Sequence, residues 1–216
     1  LVKLYERGEL NQAVLDMIRW NVRTPENVIG DIRSQTAANH VCAAQVQRML
    51  EEYRLDSLDD LADEIIARSE KSVRSAIEQV PDGVYRAEGV IEQMEGQKDI
   101  NIKAAVEIKG SDISVDLAGS SPQVSWGGNV VYNFTFAYVH MAIKSIFDPD
   151  IPNNHGSVAV IKLDAPEGSV VNCRFPAAVA ARMQIGHFMA EIIYRALAQA
   201  LPHRVIASSG GTPATM

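Results

Sequence analysis

An α+β fold is predicted by three observations. Helical patterning fills the first third of the chain, and alternating apolar residues fill the middle. The two kinds of pattern are segregated rather than interleaved, which argues against a doubly wound parallel sheet. The expected order is N-terminal helices, a central antiparallel sheet with a hairpin, then further helices packed on it. Residues 1–80 read as a helical segment and 81–216 as an α+β segment, together one folded unit cut from a longer chain. At 216 residues the chain is long enough to bury a real core.

The helices come first. Residues 1–20 read as helical, with Asn11 a candidate cap before Val14, Leu15 and Ile18. Thr24-Pro25-Glu26 is a second start signal, with proline in the first turn. From Ser34 to Tyr53 the residues Ala38, Cys42, Val46, Met49, Leu50 and Tyr53 fall on one face. Ser57-Leu58-Asp59-Asp60 is a capping-box variant opening a helix to about Gln79. Its expected inward residues include Leu58, Leu61, Ile65, Val73, Ile77 and Val80.

Pro81-Asp82-Gly83 breaks that pattern. Val84 to Met94 reads as a strand. Ile100, Ile102, Ala104, Val106 and Ile108 alternate with polar residues, as do Ile113, Val115 and Leu117. Lys109-Gly110-Ser111-Asp112 is the turn that joins these two as a hairpin. Val130 to Phe147 is apolar nearly all round and reads as a buried helix. A short strand is expected over Val158 to Leu163, and an amphipathic helix from Met183 to Leu201, ended by Pro202.

Composition narrows function. The apolar fraction is 47%, the charged fraction 22% and the net charge −7, with both signs mixed along the chain. That favours solubility and disfavours a nucleic-acid surface. No window approaches about 18 uninterrupted apolar residues, so no membrane span is expected. Cys42 and Cys173 are the two cysteines, too few for a disulfide framework or a zinc spacing, which fits a reducing cytoplasm. There is no Gly-x-Ser-x-Gly elbow, phosphate loop or dinucleotide fingerprint.

Several constellations could carry chemistry. Trp126-Gly127-Gly128-Asn129 precedes the apolar helix, with Ser120, Ser121 and Gln123 in the same loop. Glycines let a ligand approach the backbone, and a helix N-terminus favours an anion. The same residues also read as a glycine turn with Asn129 as an ordinary N-cap. Asn129, Asn133, His140 and Lys144 share one side of the helix, as a wetted edge or a cleft wall, and Lys144 would lower the His140 pKa. Gln184, His187, Glu191, Arg195 and Gln199 form a polar face on the last helix, read as solvated. Arg182 at its entrance could clamp a carboxylate or serve as a surface charge. Asp148, Asp150 and His155 share a loop with Asn153 and Asn154, which plain turn chemistry also explains. Arg174 could depress the Cys173 thiol pKa, although a packed small residue fits Cys173 as well.

The stretch from Gly119 to Ile206 carries a resemblance. It holds Gly119-Ser120-Ser121-Pro122-Gln123, Asp148-Pro149-Asp150-Ile151-Pro152-Asn153-Asn154 and Ala165-Pro166-Glu167-Gly168-Ser169. Phe175-Pro176-Ala177-Ala178-Val179 and Ala196-Leu197-Ala198-Gln199-Ala200-Leu201-Pro202 follow. Together these resemble the hydantoinase B family of N-methylhydantoinase B chains, ATP-dependent 5-oxoprolinases and the large subunits of acetone and acetophenone carboxylases. Gln123 to Asn129 departs from the Arg-Gly-Asn form associated with many hydantoinase B chains. The resemblance implies a longer protein, of which this is an interior piece, inactive alone. It implies ATP on a hydantoinase A-like partner subunit or domain, and a divalent metal whose ligands lie N-terminal to this piece.

The function so expected is a portion of an ATP-dependent hydrolase subunit that opens a hydantoin or lactam ring. Alternatives are the large subunit of an ATP-dependent ketone carboxylase and a non-catalytic assembly module. The candidate residues are His140 for catalysis and Ser121, Gln123, Gly128, Asn129 and Arg182 for substrate binding. No metal ligand is assigned within the chain.

Overall fold

The sheet of this α+β protein has its inner face built from one alternating strand. In the computed structural model, which describes residues 2–93, 98–205 and 207, β4 (Ile100–Lys109) buries Ile100, Ile102, Ala104, Val106 and Ile108. Every second side chain points to the core because successive residues of a strand face opposite sides. Burying each of the four large ones contributes about 1.5–3 kcal/mol. β3 (Gly83–Ile91) pairs antiparallel on one side and β5 (Asp112–Asp116) on the other. The β4–β5 turn is the expected one, with Gly110 at φ +59°. The expected strand end at Met94 lies outside the described residues.

The sheet is mixed rather than purely antiparallel. β6 (Ile161–Asp164) joins β5 in parallel, giving the order β3-β4-β5-β6. A long excursion separates the two, so β6 returns in the same direction as β5. This excursion holds α4 (Tyr132–Phe147) and the short α5 (His155–Ala159). The expected strand from Val158 therefore starts three residues later, after a helix capped by Asn154. Its side chain accepts from the Gly156 and Ser157 amides, and the Ser157 hydroxyl accepts from the Asn154 amide. α6 (Arg182–Leu197) packs on α4 and on the inner face of β3 and β4. A Cβ on Gly89 would strike Ile192 and Phe188, so that glycine sets how closely α6 sits on β3.

The chain divides into two compact units, Leu1–Asp60 and Leu61–Met216. The second holds the sheet, α4, α5, α6 and most of α3 (Asp59–Ile77). α3 buries Ser69, Val73 and Ile77, while Leu61 and Ile65, expected inward, are exposed. Its start is marked by Ser57, whose hydroxyl accepts from the Asp59 amide two residues on. That is a local turn bond in place of the expected capping box.

The first unit begins with a two-stranded hairpin, β1 (Tyr5–Glu6) and β2 (Glu9–Leu10), where helix was expected. Arg7 and Gly8 both take positive φ at its tip, as a tight hairpin turn requires. α1 (Gln12–Asn21) then starts at the expected cap, with Asn11 accepting from the Val14 amide. α2 (Pro25–Tyr53) opens on the expected proline. Of its 29 residues only Ile29 is buried. Ala38, Cys42 and Tyr53 are exposed, and Val46, Met49 and Leu50 half-buried, contrary to an inward apolar face. Among the described residues no helix is long and apolar enough to cross a membrane.

Candidate functional site

The loop before α4 is organised by one side chain. Asn129 is completely buried, and its carboxamide makes four bonds to backbone. Oδ1 accepts from the Val124 amide at 2.7 Å. Nδ2 donates to the carbonyls of Val124 (2.9 Å), Trp126 (3.0 Å) and Ala178 (2.9 Å). A buried amide stabilises only when its donors and acceptors are met, and here they are. Asn129 is therefore not a helix cap: α4 starts three residues later, behind Val131, which makes no side-chain cap bond. Gly128 likewise does not sit at a helix N-terminus. It is glycine because a Cβ there would overlap the Trp126 ring folded over it.

Residues 178–182 are pinned to this loop. The Ala181 amide donates to the Gly127 carbonyl at 2.8 Å, next to the bond between Asn129 and Ala178. Arg182 follows directly and begins α6. Its guanidinium carbon lies 5.7 Å from the centre of the Phe134 ring, a cation–π contact, and Nη1 reaches the Val179 carbonyl at 3.4 Å. Gln123 ties the third segment in. Its Oε1 accepts from the Arg174 amide at 2.9 Å, and its own amide donates to Gly168. Phe175, beside Arg174, is 98% exposed.

Ser121 works at the base of the same loop. Its Oγ accepts from the Asn101 amide at 2.9 Å, its amide donates to the Asn101 carbonyl, and its carbonyl accepts from Val170. The loop is thus stitched to β4 and to the 165–172 turn. Of the candidate binding residues, Gln123, Gly128, Asn129 and Arg182 meet around the junction of the 121–130 and 174–182 segments. Arg182 alone of these keeps an exposed charged group.

His140 lies elsewhere. It faces α5, with Nε2 3.3 Å from the Ser157 hydroxyl, and lines a cavity of about 370 Å³ with Lys144, Ser145 and Asn153. Tyr138, two residues earlier, faces the other way, stacking edge-on with His187 of α6 and tilted against Phe134. Two residues on a helix diverge by about 200°, so His140 and the Arg182–Phe134 contact occupy opposite sides of α4. Burial, and then the Lys144 charge, hold the His140 imidazole below its ordinary range, so it is neutral at neutral pH.

Several of the remaining polar residues find structural partners. Asp148 accepts from the Ser72 hydroxyl, Lys144 donates to the Pro149 carbonyl at 2.8 Å, and Asn154 caps α5 while donating to Ser69. Arg174 pairs with Glu167 at 3.1 Å. Among the described residues no three His, Cys, Asp or Glu side chains gather in an arrangement that could hold a metal ion. The described residues therefore offer no seat for the divalent metal that the resemblance implies.

Sequence reasoning missed Ser157 as the partner of His140, and Val124 and Ala178 as partners of Asn129. The Ser157 contact had a signal, since Asn154 with Ser157 three residues on is a capping pattern. The Asn129 contacts had none, because one partner lies 49 residues away.

Comparison with known proteins agrees with the fold. The whole chain, residues 1–216, matches the family described as hydantoinase B/oxoprolinase. The chain belongs to the hydantoinase B/oxoprolinase family. It is 35% identical to a protein assigned as the B-type component of a D-/L-hydantoinase of Pseudomonas sp. (strain NS671), over 97% of this chain and 37% of that one. It is 28% identical to the beta subunit of the caprolactamase of Pseudomonas jessenii, over 97% of this chain and 36% of that one. The crystal structure of the ATP-dependent caprolactamase from that organism superposes with a TM-score of 0.89 at 27% identity, covering 96% of this chain and 36% of that chain. A nucleotide-free acetone carboxylase shares the fold, with a TM-score of 0.82 at 16% identity, over 97% of this chain and 30% of that one. The chain thus spans about a third of the length of these proteins.

Proposed function

We propose that this chain is the substrate-side portion of an ATP-dependent hydrolase subunit of the hydantoinase B type, which opens a hydantoin or lactam ring. The observation that carries this reading is the caprolactamase likeness. It extends over 96% of the chain, and its name identifies a lactam as substrate. The carboxylase likeness is lower in identity and supports the shared fold.

In this reading the junction around Asn129 is the wall that holds the ring. Asn129, Gln123 and Ser121 fix the backbone of the wall through hydrogen bonds to it, and Gly128 leaves room for the Trp126 ring. Arg182 contacts the substrate. A guanidinium fork suits the carbonyl and carboxylate oxygens that ring opening exposes. His140 positions α4 against α5 through Ser157 and takes no part at the wall. ATP is handled by a hydantoinase A-like partner, and the divalent metal by residues outside this chain.

The test is turnover by the whole subunit co-expressed with such a partner. ADP release in step with ring opening of a hydantoin, 5-oxoproline or caprolactam, without bicarbonate, supports the reading. ATP turnover that requires a ketone and bicarbonate replaces it with the carboxylase alternative. An assembly module without chemistry is the third reading. The exposed apolar residues of α2 favour it, and equal turnover by a protein carrying substitutions at Arg182 and Asn129 would select it.

A further inference from the structure

A cavity of about 700 Å³ is lined by residues of β3, β4 and β5 together with Arg195 and Gln199 at the C-terminal end of α6, and none of the residues at the Asn129 junction lines it. Strand register makes its charge pattern plain. Arg86 pairs with Ala105, and Ala105 with Asp116, so these three form one row across β3, β4 and β5. Glu88 and Lys103 pair in the next row and close a salt bridge at 2.9 Å. Those two charges neutralise one another.

The other charges remain unmatched. Arg86, Arg195 and Asp116 form no ion pair among the described residues, although all three line the cavity. Gln199 donates to the Arg86 carbonyl at 2.8 Å, which ties the chain just past α6 to the strand bearing Arg86. Arg195, one turn earlier, lines the same cavity. Asp116 accepts from the Ala118 amide at 2.8 Å through Oδ1. Neighbouring strands lie about 4.8 Å apart, so the backbones bearing Arg86 and Asp116 are about 10 Å apart. Ala105 between them supplies only a methyl group. A larger residue would have filled this space, and a charged one would have paired with a neighbour.

We propose that this cavity binds a small zwitterionic carboxylate. Its carboxylate sits on Arg86 and Arg195, its ammonium on Asp116, and a short methylene chain crosses Ala105. Two guanidiniums offer the fork geometry that carboxylates accept. Two unmatched positive charges against one negative make the carboxylate indispensable and the ammonium a supplement. The groups are exposed, so binding weakens as salt rises. The site is independent of the ring-opening reading and of its fate.

The test is a ¹H–¹⁵N NMR titration of the chain with 4-aminobutyrate, butyrate and butylamine at equal ionic strength. Expected are shifts confined to the amides around Arg86, Ala105, Asp116 and Gln199. The expected order is 4-aminobutyrate tighter than butyrate, with butylamine silent. Arg86→Gln should weaken both carboxylates about tenfold, the usual scale for one charged hydrogen bond. Asp116→Asn should abolish the preference for 4-aminobutyrate while leaving butyrate binding in place. Both sites are exposed, and an unchanged spectrum elsewhere verifies the fold. Shifts scattered over the surface, equal shifts from sodium chloride, or an intact preference in Asp116→Asn would overturn the proposal.

Discussion

α2 carries an apolar stripe on one face, α4 is apolar nearly all round, and the two meet different surroundings. α4 has 16 residues and buries Thr135, Val139, Ala142, Ile143, Ile146 and Phe147 against the core of the second unit. α2 has 29 residues and buries Ile29 alone, leaving Val41 60% exposed and Tyr53 67% exposed. An apolar stripe states that a helix face prefers cover, not that the chain itself provides it. α4 finds cover because α6 packs along it and its inward residues join the buried core of the second unit. Most helical stability comes from such packing rather than from propensity. The stability of the second unit should therefore rest on α4 and the loop leading into it, and substitutions on α2 should be close to silent.

Asn129→Ala is the largest expected effect. It deletes four hydrogen bonds to part-buried backbone groups of Val124, Trp126 and Ala178, each worth about 1 kcal/mol net. A loss of about 4 kcal/mol is expected in urea unfolding. A loss below about 1 kcal/mol would mean that water replaces the carboxamide and that the junction is less dry than its geometry implies. Ile143→Ala should cost about 3 kcal/mol, since it removes a fully buried side chain and leaves a cavity in the α4 core. Val41→Ser on α2 should stay within about 0.5 kcal/mol in the same experiment. If the two helices lost comparable stability, the contrast between them would fail.

The second side of α4 provides a pH test. Burial first and Lys144 second disfavour the charged form of His140 in the folded state, so its folded pKa lies below the unfolded value. The unfolded chain then binds the proton more readily. The stability from this group is complete above the ordinary imidazole range, about pH 6.5, and is lost as pH falls through the lowered folded value. Urea midpoints measured from pH 7.5 to 5 should fall for the native chain, and His140→Gln should flatten that slope. An unchanged slope would assign the acid loss to other groups.

The legible parts of the fold are those in which cause and effect lie close in sequence. The alternation of β4, the Gly110 turn, the Asn11 cap and the proline opening α2 all act within a few residues. What sequence reasoning missed depends on distant partners. The parallel docking of β6 on β5 is set about 48 residues along the chain, and no local periodicity distinguishes it from an antiparallel strand. The β1–β2 hairpin was hidden because Tyr5, Glu6, Glu9 and Leu10 also suit a helix, and the tip that decides for strand takes Arg7 into positive φ.

The candidate site divides in the same way. Gly128 and Asn129 drew notice as residue types that suit ligands, and both act on backbone and a tryptophan ring of this chain. The position of Arg182 beside that loop required the bond from Ala181 to Gly127, which joins residues 54 apart. The Arg86–Ala105–Asp116 row was illegible until strand register placed the three side by side. Arg195 is exposed, as the solvated reading of its helix face expects, and its place in the cavity with Arg86 shows only in the fold.

The most direct test of the wall around Asn129 is the kinetics of Arg182→Ala and Arg182→Lys in the whole enzyme with a cyclic amide and ATP. If Arg182 contacts the substrate, kcat/KM falls about 100-fold in Arg182→Ala, the scale of two charged hydrogen bonds. The lysine variant should recover part of that loss, and the unfolding midpoint should not move. Unchanged kcat/KM in both variants, with the fold intact, would contradict the wall and leave this portion of the enzyme as scaffold.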